Sequence, residues 1–146
     1  MRGPLPRQAA EILAAHSTCA LATASGDRPW ASVVYFAEEG DGDGLLIWFA
    51  TLKPSRKWRH LTSNPAAAIA VGSGRPDRWL QARGEAQQID DPAEISKADA
   101  LIAQKAPEYR GFVNAVPEVA FFRLVIEELR VVDLTRVPPR TVWLGR

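Results

Sequence analysis

A chain of 146 residues, 47% hydrophobic and 24% charged, has the size and balance of one folded domain, expected here over residues 1–146, which excludes disorder as its default. A net charge of only +1 argues against a broad nucleic-acid surface, which needs a stronger basic excess. One cysteine and two histidines exclude an internal disulfide and a cysteine-based zinc centre within one chain, and no metal site is expected.

In chain order, the opening Met-Arg-Gly-Pro-Leu-Pro-Arg-Gln lacks the apolar run of a signal peptide. No later stretch approaches the ~20 apolar residues that cross a bilayer. A cytoplasmic protein without membrane contacts is expected. Leu5, Ala9, Ile12 and Leu13 have helical spacing, predicting a short helix over Leu5 to His16. Ser17 to Ala24 alternates, with Cys19, Leu21 and Thr23 on one face. Ser25 to Pro29 is a turn by composition, and Trp30 to Glu38 is rich in β-branched and aromatic residues. Glu39 to Gly44 is the next turn. Its Asp41-Gly-Asp43 start resembles a calcium loop, but the twelfth position is Leu52 where a glutamate is needed, so a hairpin turn is expected. Leu45 to Ala50 completes an antiparallel meander.

Pro54-Ser55 opens a short helix with Ser55 as N-cap and Trp58 and Leu61 on its buried side, ended by Asn64-Pro65. Ala66 to Gly72 is a strand, Ser73 to Asp77 a turn, and Arg78 to Ile89 a long strand in which Gly84 marks a bend or bulge. Asp91, Pro92 and Glu94 form the clearest helix start, a cap, a first-turn proline and a capping-box partner. Ile95, Ala98, Leu101 and Ile102 form that helix's apolar stripe. Ala106 to Val116 is irregular or partly helical. Glu118 to Glu127 and Glu128 to Leu134 read as two last strands, followed by a tail with Pro138, Pro139 and Trp143. The expected class is mainly β with flanking α: an antiparallel six- to seven-stranded barrel with short peripheral helices.

One cluster carries chemistry. Lys53, Arg56, Lys57 and Arg59 crowd the start of the short helix, beside His60. A helix N-terminus carries partial positive charge and free N–H groups, so each cation there costs about 0.3–1 kcal/mol unless an anion neutralises it. A phosphate at that end would reverse the sign of every term. Arginine supplies a fork for two oxygens, and lysine a point charge. The competing readings are a solvated basic helix end and a nucleic-acid patch. The near-neutral chain and the lack of a recognition-helix pattern weigh against the patch.

The string Phe49-Ala-Thr51, then Ser55-Arg-Lys57, Leu61 and Asn64-Pro65, resembles the pyridoxamine 5′-phosphate oxidase-like, flavin-binding split-barrel family. Trp30 to Phe36 and Trp79 to Ala86 extend the resemblance, which spans about residues 12 to 134. It implies a split β-barrel homodimer binding flavin mononucleotide (FMN) at the subunit interface. Arg56 and Lys57 would hold the phosphate, and Thr51 and Ser55 would add hydroxyl contacts. Ser32, Val33, Val34, Tyr35 and Phe36 would present backbone groups to the flavin ring edge, and Gln81 would contact the ring or ribityl chain. Relatives that hold a deazaflavin or haem, or show no cofactor, keep those alternatives open. Where the family carries a phosphate-binding arginine, this chain has Ser32, and Ala50 replaces an aromatic. The C-terminal arginine-containing segment used for substrate by authentic pyridoxamine phosphate oxidases is not evident. The resemblance therefore implies an FMN-dependent oxidoreductase of unassigned small-molecule substrate, not vitamin B6 oxidation. A flavin or haem carrier or sensor without turnover, and a deazaflavin-dependent reductase, are the alternatives.

Most of the tryptophans are expected as core or interface filler. Trp143, on a late proline-flanked tail, is expected to find little core in its own chain and to reach a partner subunit's flavin. Cys19 is expected as an inert core thiol. His16 and His60 lack a second ligand at metal spacing and read as surface or capping groups. No catalytic triad or carboxylate pair is legible, so any redox chemistry would be the flavin's.

Overall fold

A computed structural model describes residues 3–41, 44–72, 77–116 and 118–145. The elements run α1 (Arg7–Ala15), β1 (Thr18–Ser25), β2 (Arg28–Asp41), β3 (Gly44–Leu52), α2 (Arg56–Ser63), β4 (Ala66–Gly72), β5 (Arg78–Gln88), α3 (Pro92–Lys105), α4 (Tyr109–Ala115), β6 (Val119–Asp133) and β7 (Arg140–Leu144). The sheet order is β3-β2-β1-β4-β5-β6-β7, with β3 also pairing β6. That extra pairing closes six antiparallel strands into a barrel and leaves β7 added outside β6. The predicted mainly-β class is what forms.

The short-range signals act as expected. Gly26 sits at φ 59° in the two-residue β1–β2 turn, a left-handed conformation that glycine adopts without steric cost. Residues 42–43 and 73–76, inside two predicted turns, lie outside the described residues. Asp91 caps α3 by accepting the Glu94 N–H. The capping box is not closed, because the Glu94 carboxylate turns instead to the Arg123 guanidinium at 2.6 Å. A charged partner outcompetes the weaker bond back to the cap.

The alternating burial of β1 puts Cys19, Leu21 and Thr23 inside the barrel. Phe36, Ile47, Leu80 and Leu124 fill the interior with them, and Phe49 stacks on Phe122 at 5.2 Å between centroids. On the outer face of β3, Trp48 and Ala50 are also buried, beneath Ala98 and Ile102 of α3 and Tyr109 of α4. This two-sided burial explains why Leu45 to Ala50 is a continuous apolar run rather than an alternating one.

Two expectations at the C-terminal end need correction. Val119 to Asp133 is one strand, not two. The register against β5 jumps from Arg83↔Glu128 to Gly84↔Ile126, leaving Glu127 as the extra residue of a β-bulge. The polar Glu127-Glu128 pair reads as a break, yet both carboxylates are held by Arg83, so the strand continues. The tail after Pro139 is likewise a strand, β7, paired to β6 over Glu128↔Leu144 to Val132↔Arg140.

Burial pushes the Cys19 thiol up to about 12, with Lys105 partly opposing the shift. The thiolate is the nucleophile, so the folded protein should not react with a disulfide reagent at pH 8. Full labelling should appear only in denaturant; rapid labelling of the native protein would show that the barrel opens at β1.

Candidate functional site

The α2 start is an unneutralised positive end. Ser55 Oγ caps the helix by accepting the Trp58 N–H at 3.2 Å, leaving the first two helical N–H groups, of Arg56 and Lys57, without an intrahelical acceptor. Thr51, only 1% exposed, places Oγ1 3.3 Å from Ser55 Oγ. The end of β3 and the helix cap thereby meet. The helix has no acidic residue in its first turn. Among the described residues, Lys53, Arg56, Lys57 and Arg59 form no ion pair. Arg56 and Lys53 lie instead over indoles, Arg56 Cζ 4.0 Å from the Trp30 centroid and Lys53 Nζ 5.3 Å from that of Trp58. Partial burial holds the Lys57 ammonium below its ordinary 10.5. With no counter-ion among the described residues, a lysine desolvated in this way would be stabilised by an anion.

Strand β2 supplies a second component. It pairs with β1 over residues 28–35 and with β3 only from Phe36 onward, so one edge of residues 28–35 faces a gap. The Phe36 N–H bonds Ser17 O at 3.0 Å. Antiparallel alternation then turns the backbone groups of Ser32 and Val34 to β1 and those of Ala31, Val33 and Tyr35 to the gap. Ser32 Oγ is buried and has no hydrogen-bond partner among the described residues. Such an atom calls for an occupant.

A groove of about 640 Å³ lies on the outer sheet face beside this edge. Two rows of residues in register cross it. One runs Val33, Ala20, Ala70, Gln81, Arg130; the other runs Ala31, Ala22, Ala68, Arg83, Glu128. Alanine methyls therefore form one wall, and polar groups from β5 and β6 form the other. Arg130 Nε donates to Glu128 Oε2 at 3.0 Å, and Arg83 Nε to Glu128 Oε1 at 3.1 Å. The Arg130 hydrogen bond, more than that of Arg83, holds the Glu128 carboxyl below its usual range.

The predicted residues thus divide. Thr51, Ser55, Arg56 and Lys57 gather at one helix start. Ser32 turns into the barrel one strand away, while Val33, 71% exposed, faces outward and Gln81 lines the groove. Val34 is core, and Tyr35 packs edge-on against Tyr109 at 5.8 Å. Trp143 does not reach outward: it is 1% exposed in the barrel's own core, and its Nε1 donates to Gly3 O at 2.9 Å. β7, paired to β6, carries the ring into the core, which a reading of this segment as a proline-flanked tail could not anticipate. Three contributors have no local sequence signal: Trp30 beneath Arg56, buried Thr23 bonded to His60 Nδ1 at 3.0 Å, and Arg130.

A family model described as pyridoxamine 5′-phosphate oxidase matches residues 5–133. No curated protein matches the sequence. Among solved structures, a heme-binding protein from Mycobacterium smegmatis aligns with TM-score 0.72 and 20% identity, over 98% of this chain and 60% of that one. A heme storage protein from Vibrio cholerae aligns with TM-score 0.68 and 19% identity, over 86% and 92%. An FAD-binding protein from Mesorhizobium loti aligns with TM-score 0.62 and 19% identity, over 88% and 93%. No described helix is long and apolar enough to cross a membrane.

Proposed function

Since the chain belongs to the pyridoxamine 5′-phosphate oxidase family, its model covering residues 5–133, we propose that it is an FMN-binding oxidoreductase acting on a small molecule. The carrying observation is the half-buried Lys57, without an ion-pair partner among the described residues, at a helix start with no acidic residue in its first turn. Lys57 and the N–H groups of Arg56 and Lys57 would hold the phosphate, with Thr51 and Ser55 adding hydroxyls. The Arg56 guanidinium would leave Trp30 or share its charge with the phosphate. The open backbone edge at Ala31, Val33 and Tyr35 would meet the ring system's polar rim, and Gln81 its far side. Flavin, when bound, supplies hydride or electron transfer; these residues supply placement and charge. A second copy laid on the groove would exclude water from the ring, which supports a homodimer.

Flavin and haem are both held by structural neighbours. Neither histidine of this chain lines the groove, and a phosphate grip has no use for haem iron, so flavin is favoured. Purified protein should take up FMN and show the oxidised-flavin absorption bands; a protein that stays colourless with added FMN refutes the reading.

Lys57→Ala should weaken FMN binding by about 1.5–3 kcal/mol, the scale of a hydrogen bond to a charged group, without lowering the stability of the cofactor-free protein. A pH comparison of the two proteins adds a sign. Below its ordinary 10.5, Lys57 is less protonated folded than unfolded, so its contribution to apo-protein stability rises with pH through that window. A bound phosphate favours the charged lysine, so FMN affinity falls through the same window. Equal pH profiles for wild type and Lys57→Ala, from fluorescence titration, would place the phosphate elsewhere.

A further inference from the structure

The alternation that builds the barrel core puts Cys19 and Leu21 at inward positions of β1, and then a hydroxyl at Thr23. Thr23 is 2% exposed, and a hydroxyl buried that far is costly without a hydrogen-bond partner. Its partner is His60 Nδ1, 3.0 Å away on α2. Trp30 faces Thr23 in the β1–β2 register, so the two side chains share one face. Arg56, one turn before His60 on the same side of α2, lies over that indole at 4.0 Å. The helix therefore meets β1 and β2 at two adjoining points. At its C-terminal end Asn64 Nδ2 donates to Ala24 O at 3.3 Å, and at its start Ser55 meets Thr51 of β3. β1 and β3 flank the part of β2 that separates from β3, and α2 packs on all three. It is tied on both sides of the gap.

These ties fix an element with little rigidity of its own, since an eight-residue helix is marginal in isolation. Turning it about 20° around its axis moves a side-chain atom about 5 Å from that axis by about 2 Å, enough to break a hydrogen bond. Lys57 and Arg56 stand three and four positions before His60, on adjoining rows of the helix surface. Whatever holds the imidazole thus sets the direction in which both cations point. We propose that Thr23 and His60 are positioning residues for the phosphate: their hydrogen bond locks the rotation of α2 and aims Arg56 and Lys57, and neither residue touches the cofactor. The inference deepens the proposed function and rests on its placement of the phosphate at this helix start.

The test titrates the full chain with FMN and with riboflavin, which lacks the phosphate, and takes the ratio of the two affinities within each protein. That ratio is independent of the folded fraction, so a loss of stability alone does not move it. Wild type should prefer FMN. Thr23→Val, which keeps the shape but not the hydroxyl, should lower the preference about three- to tenfold, the scale of one neutral hydrogen bond. His60→Leu, at a half-buried position that threatens the fold less, should lower it as much, and the double variant no further. Thr23→Ser keeps the hydroxyl and should retain the wild-type ratio. A wild-type ratio in Thr23→Val or His60→Leu, or a ratio in Thr23→Ser as low as in Thr23→Val, overturns the proposal and leaves the flavin reading standing. A wild type that binds neither flavin, or both alike, refutes the phosphate grip and this proposal with it.

Discussion

Substituting Gly84 by alanine is expected to destabilise the fold by about 3 kcal/mol or more, at the upper end of single-residue effects. A Cβ on Gly84 would lie 1.8 Å from Val125 O and 2.8 Å from its carbonyl carbon. Both are backbone atoms, so no rotamer change relieves the clash. Nor can the strand back away. β6 is paired to β3 up to Val125 and to β7 from Glu128, and Gly145 presses from just past the end of β7, where a Cβ would lie 2.2 Å from Ile126 O. The bulged backbone of β6 is therefore packed between two glycines. The loss should be read in urea unfolding without cofactor. A change under about 1 kcal/mol would mean that the bulge can migrate along β6. Because Arg83 precedes Gly84 and braces Glu128, a shifted bulge should also loosen the Arg83–Glu128 pair in whatever protein remains folded.

What was readable from the chain follows the range of the interaction. The β1–β2 turn, the α3 cap and the strand nature of Ala66 to Gly72 depend on neighbours within a few positions, and they form as their residues dictate. The cation cluster proposed to hold an anion was readable for the same reason, since Thr51, Ser55, Arg56 and Lys57 occupy one contiguous stretch and concentrate cations where a helix dipole opposes them. Long-range partners left no such trace. Arg83 meets Glu128 across 45 positions, and Thr23 meets His60 across 37; each looks like an ordinary surface or strand residue until the barrel closes. The bulge misled in a more specific way. Two consecutive glutamates mimic a strand break, and only the facing Arg83, with its guanidinium spread over both, shows why the backbone runs on. The groove lies at the limit of legibility, because alternating alanines signal a half-buried strand but say nothing about what the next strands place beside them.

Trp143→Ala should cost about 3–5 kcal/mol of stability, the range for truncating a buried large aromatic, and should leave the FMN affinity of the folded fraction unchanged. The indole lies opposite Leu129 in the β6–β7 register and is almost wholly enclosed. Removing it opens a cavity in the main core and frees the Gly3 carbonyl that its Nε1 bonds. Trp143→Phe, which keeps most of the ring volume but not the donor, should fall between wild type and alanine. The expectation from the tail's composition was the reverse: an indole lying on a partner's flavin, whose loss would weaken cofactor binding and leave the barrel intact. Thermal unfolding of the apo-protein beside an FMN titration separates the two. A stable Trp143→Ala protein with markedly weaker FMN binding would mean that β7 leaves its own barrel in the assembled dimer. Lost stability with retained affinity would place β7 with the scaffold, leaving Thr51 to Lys57, the β2 edge and the groove to carry ligand recognition.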